Sequence, residues 1–161
     1  MPSLMWFALV LAIGAVSVMW PEAIGSAWQP TSMKIVRTML EMAEVGPADM
    51  VYDLGSGDGR IVVEAPRRRQ ARAVGIEADP LRVLWSRLVI ALLDPCNPVR
   101  IVWGDFFHQN ISEATVVTLF LTQRTNQRLK PRLQQEPRPG TRVVSHEHSA
   151  LAWVESLCRL W

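Results

Sequence analysis

The sequence predicts an α/β domain of the doubly wound kind, with a mostly parallel sheet of about five strands, and three observations carry that reading. Short aliphatic and β-branched runs recur along the chain, stretches with helical apolar spacing separate most of them, and the first run ends in a cluster of glycines that opens a helix. Strands joined through helices pair in parallel by right-handed crossovers, which calls for cover on both sheet faces.

Taken in order, the first element is an apolar stretch from Leu4 to Trp20, with no charged side chain before Glu22. Its roughly 17 residues lie at the lower edge of what spans a bilayer. Trp6 and Trp20 bracket it as interfacial aromatics do, and the first cations after it, Lys34 and Arg37, favour a cytoplasmic C-terminal side. Residues 1–21 are therefore expected to form a transmembrane anchor helix, 22–30 a linker and 31–161 the domain. A cleaved signal peptide and a buried N-terminal helix compete with the anchor, although no Lys or Arg precedes the apolar run.

Pro30 and Thr31 start a helix carrying Ile35, Val36, Met39, Leu40 and Ala43, which Gly46 and Pro47 stop. Met50 to Leu54 is the first strand, and a helix begins at Gly59 and runs through Ile61, Val62, Val63 and Glu64. Arg72 to Glu77 is the second strand. Asp79 and Pro80 cap a helix with Leu81, Val83, Leu84, Leu88 and Leu92, and Arg100 to Trp103 is the third strand. Ala114 to Leu121 follows as a strongly apolar fourth strand, Asn126 to Gln134 as a helix and Thr141 to Ser145 as a fifth strand.

At 161 residues the chain holds one domain with a sizeable core. A net charge of +2 does not call for a nucleic-acid partner, and Cys96 and Cys158 form neither a disulfide framework nor a metal-binding spacing, so no metal is expected. The Arg67-Arg68-Arg69 run and the cations Arg124, Arg128, Lys130 and Arg132 read as solvated helix faces, the latter set with an acidic partner surface as the alternative. Ser145, His146 and Glu147 are not a hydrolase triad, because neighbours on a strand point to opposite faces.

The chemistry sits in Asp53-Leu54-Gly55-Ser56-Gly57-Asp58-Gly59-Arg60, a strand-to-helix junction where glycines let a ligand approach the backbone and free amides attract an anion. Glu77 ends the next strand roughly 20 residues later, where a carboxylate in such folds accepts ribose hydroxyls. A dinucleotide fingerprint has its third glycine one position further on, where this chain has Arg60, which disfavours an NAD-dependent oxidoreductase.

Val51 to Arg60 resembles motif I of the class I S-adenosylmethionine-dependent methyltransferases, a Rossmann-like family, and Gly75-Ile76-Glu77-Ala78-Asp79-Pro80 resembles its following acidic loop. Trp103 to Phe107 resembles the motif after the third strand. Trp28-Gln29-Pro30-Thr31, Ile111 to Val117, Leu129-Lys130-Pro131 and Pro139 to Glu147 are similar to the small prokaryotic protein-lysine methyltransferases. The resemblance implies S-adenosylmethionine as cofactor and a protein lysine amine as acceptor. It also implies that Gly55, Ser56, Gly57 and Gly59 line the methionine and ribose, with Asp53 near the ammonium group and Glu77 at the ribose. Asp105 would face the adenine amine and Phe106 its ring, while Phe107 is expected in the core.

Thr122 and Gln123 follow the fourth strand and are expected to position the acceptor. Methyltransferases of this class continue with a hairpin after the fifth strand, whereas here a short apolar tail, Ser149 to Trp161, follows. The fifth strand would then be an edge needing cover from the tail, from a second copy of the chain or from a membrane. A domain that binds S-adenosylmethionine or a partner with little catalysis is the second functional reading.

Overall fold

The computed structural model describes residues 30–93 and 98–146. The expected anchor, most of the linker, Cys96, Cys158 and everything from Glu147 onward lie outside the described residues. Among the described residues, no helix is long and apolar enough to cross a membrane.

Nine elements follow in order: α1 (Met33–Met42), β1 (Met50–Leu54), α2 (Arg60–Arg69), β2 (Arg72–Glu77), α3 (Pro80–Leu93), β3 (Val99–Trp103), β4 (Val116–Leu119), α4 (Gln123–Gln135) and β5 (Arg142–Ser145). The strands form one parallel sheet in the order β3-β2-β1-β4-β5. That order reverses direction between β1 and β4, which leaves a crevice at their carboxyl ends.

Each strand contributes to two cores because alternate side chains point to opposite faces. Val51, Ala73, Ile101, Val116 and Val144 meet Val36, Met39 and Leu40 of α1, Ile61, Val62 and Ala65 of α2, and Val83 of α3. Tyr52, Leu54, Ile76, Val117, Leu119 and Val143 meet Phe106, Ile111 and Leu121 with Leu129 and Leu133 of α4. Val143 and Val144 are thus both buried, so the side chains of β5 are already covered by α4 and α1. The apolar face expected to need a tail, a second copy or a membrane is not exposed.

Helix ends explain where the sequence reading and the structure differ. Ser32 caps α1, accepting from the Ile35 amide at 3.4 Å, and Thr122 caps α4, accepting from the Thr125 amide at 3.4 Å. With Thr122 as cap, α4 begins at Gln123, before the expected Asn126. The fourth strand is shorter than expected because Ala114 closes a turn on the Ile111 carbonyl. At the opposite end of the sheet, Asp49 accepts from the Thr115 hydroxyl at 2.7 Å and pairs with Arg142, pinning β1, β4 and β5 together.

Candidate functional site

All five strands are parallel, so the loops that follow them gather along one edge of the sheet, and the glycine turn after β1 lies at its centre. Gly55, Gly57 and Gly59 adopt φ of 84°, 55° and 82°, left-handed conformations that favour glycine. The Gly55 and Ser56 amides donate to the Ile76 carbonyl at 2.9 and 3.0 Å, which folds the turn back over β2. A Cβ on Gly55 would stand 3.1 Å from Leu121 Cδ2 with the Phe106 ring beyond, so the bare backbone keeps the crevice between β1 and β4 open.

Glu77 ties the turn to the next strand. Its Oε2 accepts from the Gly57 amide at 2.8 Å and its Oε1 from the Asp79 amide at 2.9 Å. Two backbone donors hold the carboxylate in place and leave it further acceptor sites. Asp79 then accepts from the Leu81 amide at 2.8 Å at the start of α3. The fully buried Ser86 of α3 donates to the Gly57 carbonyl at 2.9 Å. Nothing in the sequence singles out Ser86, since its partner is 29 residues away along the chain.

Ser56 sits beneath the turn. It is buried, and a Cβ on Gly75 would come within 2.7 Å of its hydroxyl, so it approaches the site through its backbone. Arg60 donates to Asp58 at 2.9 Å and to the Thr31 carbonyl, which fixes the entry to α1 beside the turn. Burial pulls the Asp58 carboxyl upward, but the hydrogen bonds and charge of Arg60 outweigh it and hold Asp58 below the usual carboxylate range.

Asp53 is the chemically pointed residue of the site. Buried at the end of β1, it accepts from the Thr118 hydroxyl at 2.8 Å, and no cation pairs with it among the described residues. Burial pushes its carboxyl up to about 7, and the nearby Glu77 and Asp58 add to the push against the Thr118 hydrogen bond. A carboxylate kept this way suits a ligand that brings its own cationic group.

The loop after β3 forms another wall. Asp105 Oδ1 accepts from the Phe107 amide at 2.9 Å, and its Oδ2 lies 3.0 Å from His108 Nδ1. The burial of the two phenylalanines runs opposite to expectation: Phe106 is in the core and Phe107 is half-buried beneath the Arg128 guanidinium, 4.5 Å from its ring centroid. Arg132, which the sequence places on a solvated face, is a clamp. It reaches the Phe106 and Gln109 carbonyls and pairs with Glu136, whose carboxyl it holds low.

Thr122 and Gln123 follow β4 on the same edge and are both exposed, with Thr122 Oγ1 2.9 Å from Thr125 Oγ1. Beside them Phe120 and His146 stack with ring centroids 5.0 Å apart, since they follow adjacent parallel strands. Asn126 Nδ2 donates to Ser145 Oγ at 3.2 Å, while its Oδ1 is buried without a partner among the described residues. Neither Phe120 nor Asn126 stands out in the sequence as a site residue. The edge therefore brings Asp53, the glycine turn, Glu77, Asp105, Thr122 and Gln123 together. A groove of about 500 Å³ lined by Met50, Tyr52, Val74, Arg100 and Val102 opens on the sheet face between β1 and β3.

Comparison with known proteins gives this arrangement a context. The model of the ANTKMT methyltransferase domain matches residues 53–156. A protein-lysine N-methyltransferase of Saccharolobus islandicus (strain REY15A) is 47% identical over 125 residues, 77% of this chain and 78% of that protein. An adenine nucleotide translocase lysine N-methyltransferase of Mus musculus is 33% identical over 122 residues, and there the match spans 53% of its length. Among solved structures, one described as an RNA methyltransferase from Salinibacter ruber in complex with S-adenosyl-L-homocysteine is 49% identical, with a TM-score of 0.71 over 73% of this chain and 76% of that one.

Proposed function

We propose that the methyl acceptor is the side-chain amine of a protein lysine, a reading that proceeds from the family: this chain belongs to the ANTKMT methyltransferase domain family and is a class I methyltransferase that uses S-adenosylmethionine. The observation that carries the acceptor is the 47% identity to an archaeal protein-lysine N-methyltransferase over 78% of that protein. The site fits the cofactor on its own terms, because the buried Asp53 lacks a cation among the described residues and the glycine turn exposes its backbone to the crevice.

The bound cofactor supplies an electrophilic methyl group on a sulfonium, so the protein has to hold the acceptor amine in line and exclude water. In this reading Asp53 takes the ammonium group, and Gly55, Ser56, Gly57 and Gly59 line the methionine and ribose with backbone. Glu77 accepts the ribose hydroxyls on the lone pairs its two amide donors leave open. Asp105 would face the adenine amine and Phe106 its ring. Thr122 and Gln123 orient an amine that has already lost its proton to solvent, which removes the need for a dedicated base.

The N-terminal stretch from Leu4 to Trp20 completes the reading as a single-span anchor with the domain on the cytoplasmic side. Association through the outer backbone edge of β5 accompanies it. Extraction at alkaline pH and light scattering test these two features.

The activity test supplies methyl-labelled S-adenosylmethionine with a protein pool and, in parallel, an RNA pool, with Asp53→Ala and Glu77→Ala variants titrated calorimetrically. Label on lysines, lost in both variants together with binding, is the expected result. Label on RNA alone would move the acceptor to the class named for the Salinibacter relative. Binding without transfer to either pool would leave a cofactor-binding domain.

A further inference from the structure

Helix α3 carries an apolar face that no described residue covers. Leu81, Leu84, Trp85, Leu88 and Leu92 are all exposed, Leu84 by 66%, Trp85 by 60% and Leu92 by 73%. Their spacing aligns them as one stripe along the helix. The opposite side is already used, with Val83 and Ser86 buried and Ile90 packed on the core. Trp103, 62% exposed, shares the sheet face of Ile101 and donates from Nε1 to the Ala78 carbonyl at 3.0 Å, which sets its indole at the N-terminal end of the stripe. Soluble monomers rarely leave such a continuous patch without a use for it.

Charge indicates what covers it. Helix α3 contains no Asp or Glu, and its cations Arg82 and Arg87 are drawn in beside the apolar face: Arg82 lies 3.5 Å from Asp79, and Arg87 Nη2 donates to the Ile101 carbonyl at 2.7 Å. An apolar stripe on a helix whose own charged residues are both arginines suits the interfacial layer of an anionic bilayer. The sequence also holds the uncharged run Leu4 to Trp20, and Pro21 to Pro30 spans roughly 33 Å when extended, enough to bring a face near the domain's entry to the same membrane; Arg60 on the Thr31 carbonyl and Ser86 on the Gly57 carbonyl set that entry and α3 beside the same glycine turn.

We propose that α3 and Trp103 form a membrane-docking face that lies in the interfacial region of a bilayer containing anionic lipid. The choice of occupant rests partly on the anchor reading, and the experiment separates the two. The full chain, with Cys96→Ser and Cys158→Ser, is labelled with a polarity-sensitive fluorophore at position 88 through Leu88→Cys, or at the exposed position 127 on α4 through Gln127→Cys. Each form is mixed with vesicles of phosphatidylcholine and phosphatidylglycerol carrying a lipid-attached quencher. The expected result is a blue shift and quenching at position 88 several times those at position 127.

Vesicle-bound chain with an aqueous probe at position 88 overturns the docking face and leaves the anchor standing. Failure of the chain to float with vesicles refutes both. A probe at position 88 that is shielded before vesicles are added also overturns the proposal, in favour of a second copy if the chain runs as a dimer and of its own terminal segment if it runs as a monomer.

Discussion

Replacing Asp53 by asparagine isolates the cost of keeping a buried carboxylate ready for a cation. The amide oxygen introduced by Asp53→Asn can still accept from the Thr118 hydroxyl, so the substitution removes charge with little change of shape. In the folded protein burial raises the carboxyl from 3.8 to about 7. The folded state therefore holds the proton more tightly than the unfolded chain, and stability falls as pH rises from 3.8 through 7. A tenfold difference in proton affinity between the two states is worth about 1.4 kcal/mol, so this carboxyl costs the cofactor-free protein about 4 kcal/mol at pH 8 and about 2 kcal/mol at pH 5. Urea unfolding of parent and Asp53→Asn at the two pH values, without cofactor, reads the difference between them. The variant's advantage should shrink by about 2–3 kcal/mol on going from pH 8 to pH 5. An advantage independent of pH, or one that grows in acid, refutes the reasoning. The same variant should bind S-adenosylmethionine about 10- to 100-fold more weakly by calorimetry, through loss of one charge-assisted hydrogen bond. In the parent, affinity should drop about tenfold per pH unit as pH falls below 7.

Two glycine substitutions test the close contacts around the site. In Gly75→Ala the new Cβ meets Ser56 Oγ at 2.7 Å and Ile101 Cδ1 at 2.9 Å inside the core, so thermal unfolding should report a loss of about 1–3 kcal/mol and a disturbed glycine turn. Gly104→Ala meets the far end of Gln109 at 2.3 Å, a side chain free to swing away, and should cost less than half as much in the same assay. Arg132→Ala should destabilise the protein by about 2–4 kcal/mol, because two carbonyls and Glu136 lose a shared charged donor. Calorimetry on that variant should show weakened cofactor binding, because the Asp105 loop is released.

The parts of this fold that are legible in the sequence are those set by local chemistry. The strands β1 and β2 fall at the expected residues because each is a short, mostly apolar run, buried on both faces and bounded by turns, and the glycine turn announces its own conformation. Glu77 is legible by position, at the end of β2. Its second task, bracing the Gly57 and Asp79 amides, needs the two strands side by side. Ser86 and Arg132 escape a reading of the sequence for the same reason: a serine in an apolar helix and an arginine on a basic one reveal their partners only when elements far apart in sequence meet. The half-exposed Phe107 meets Arg128 of α4, a partner far along the chain that the sequence does not pair with it.

The contacts of Arg132 and of the two phenylalanines share a cause in the connection between β3 and β4. Gly104 to Thr115 contains no helix, so that part of the chain has no crossover helix of its own to stiffen it. Its shape comes from elsewhere: the Gly104 amide donates to the Glu77 carbonyl at 2.9 Å, the Ile111 amide donates to Glu136 Oε1 at 2.8 Å, and Arg132 holds the Phe106 and Gln109 carbonyls. Three of those four contacts end on α4 or its C-cap, and α4 is also the helix that Thr122 caps. One helix therefore carries Thr122 and Gln123 at its start and, two to three turns later, the residues that hold the Asp105 loop. Its length of 13 residues fixes the separation between the two walls of the crevice. A shift of α4 along its axis would move the acceptor wall and the adenine wall together, which makes the packing of Leu129 and Leu133 under this helix a determinant of site geometry as well as of stability.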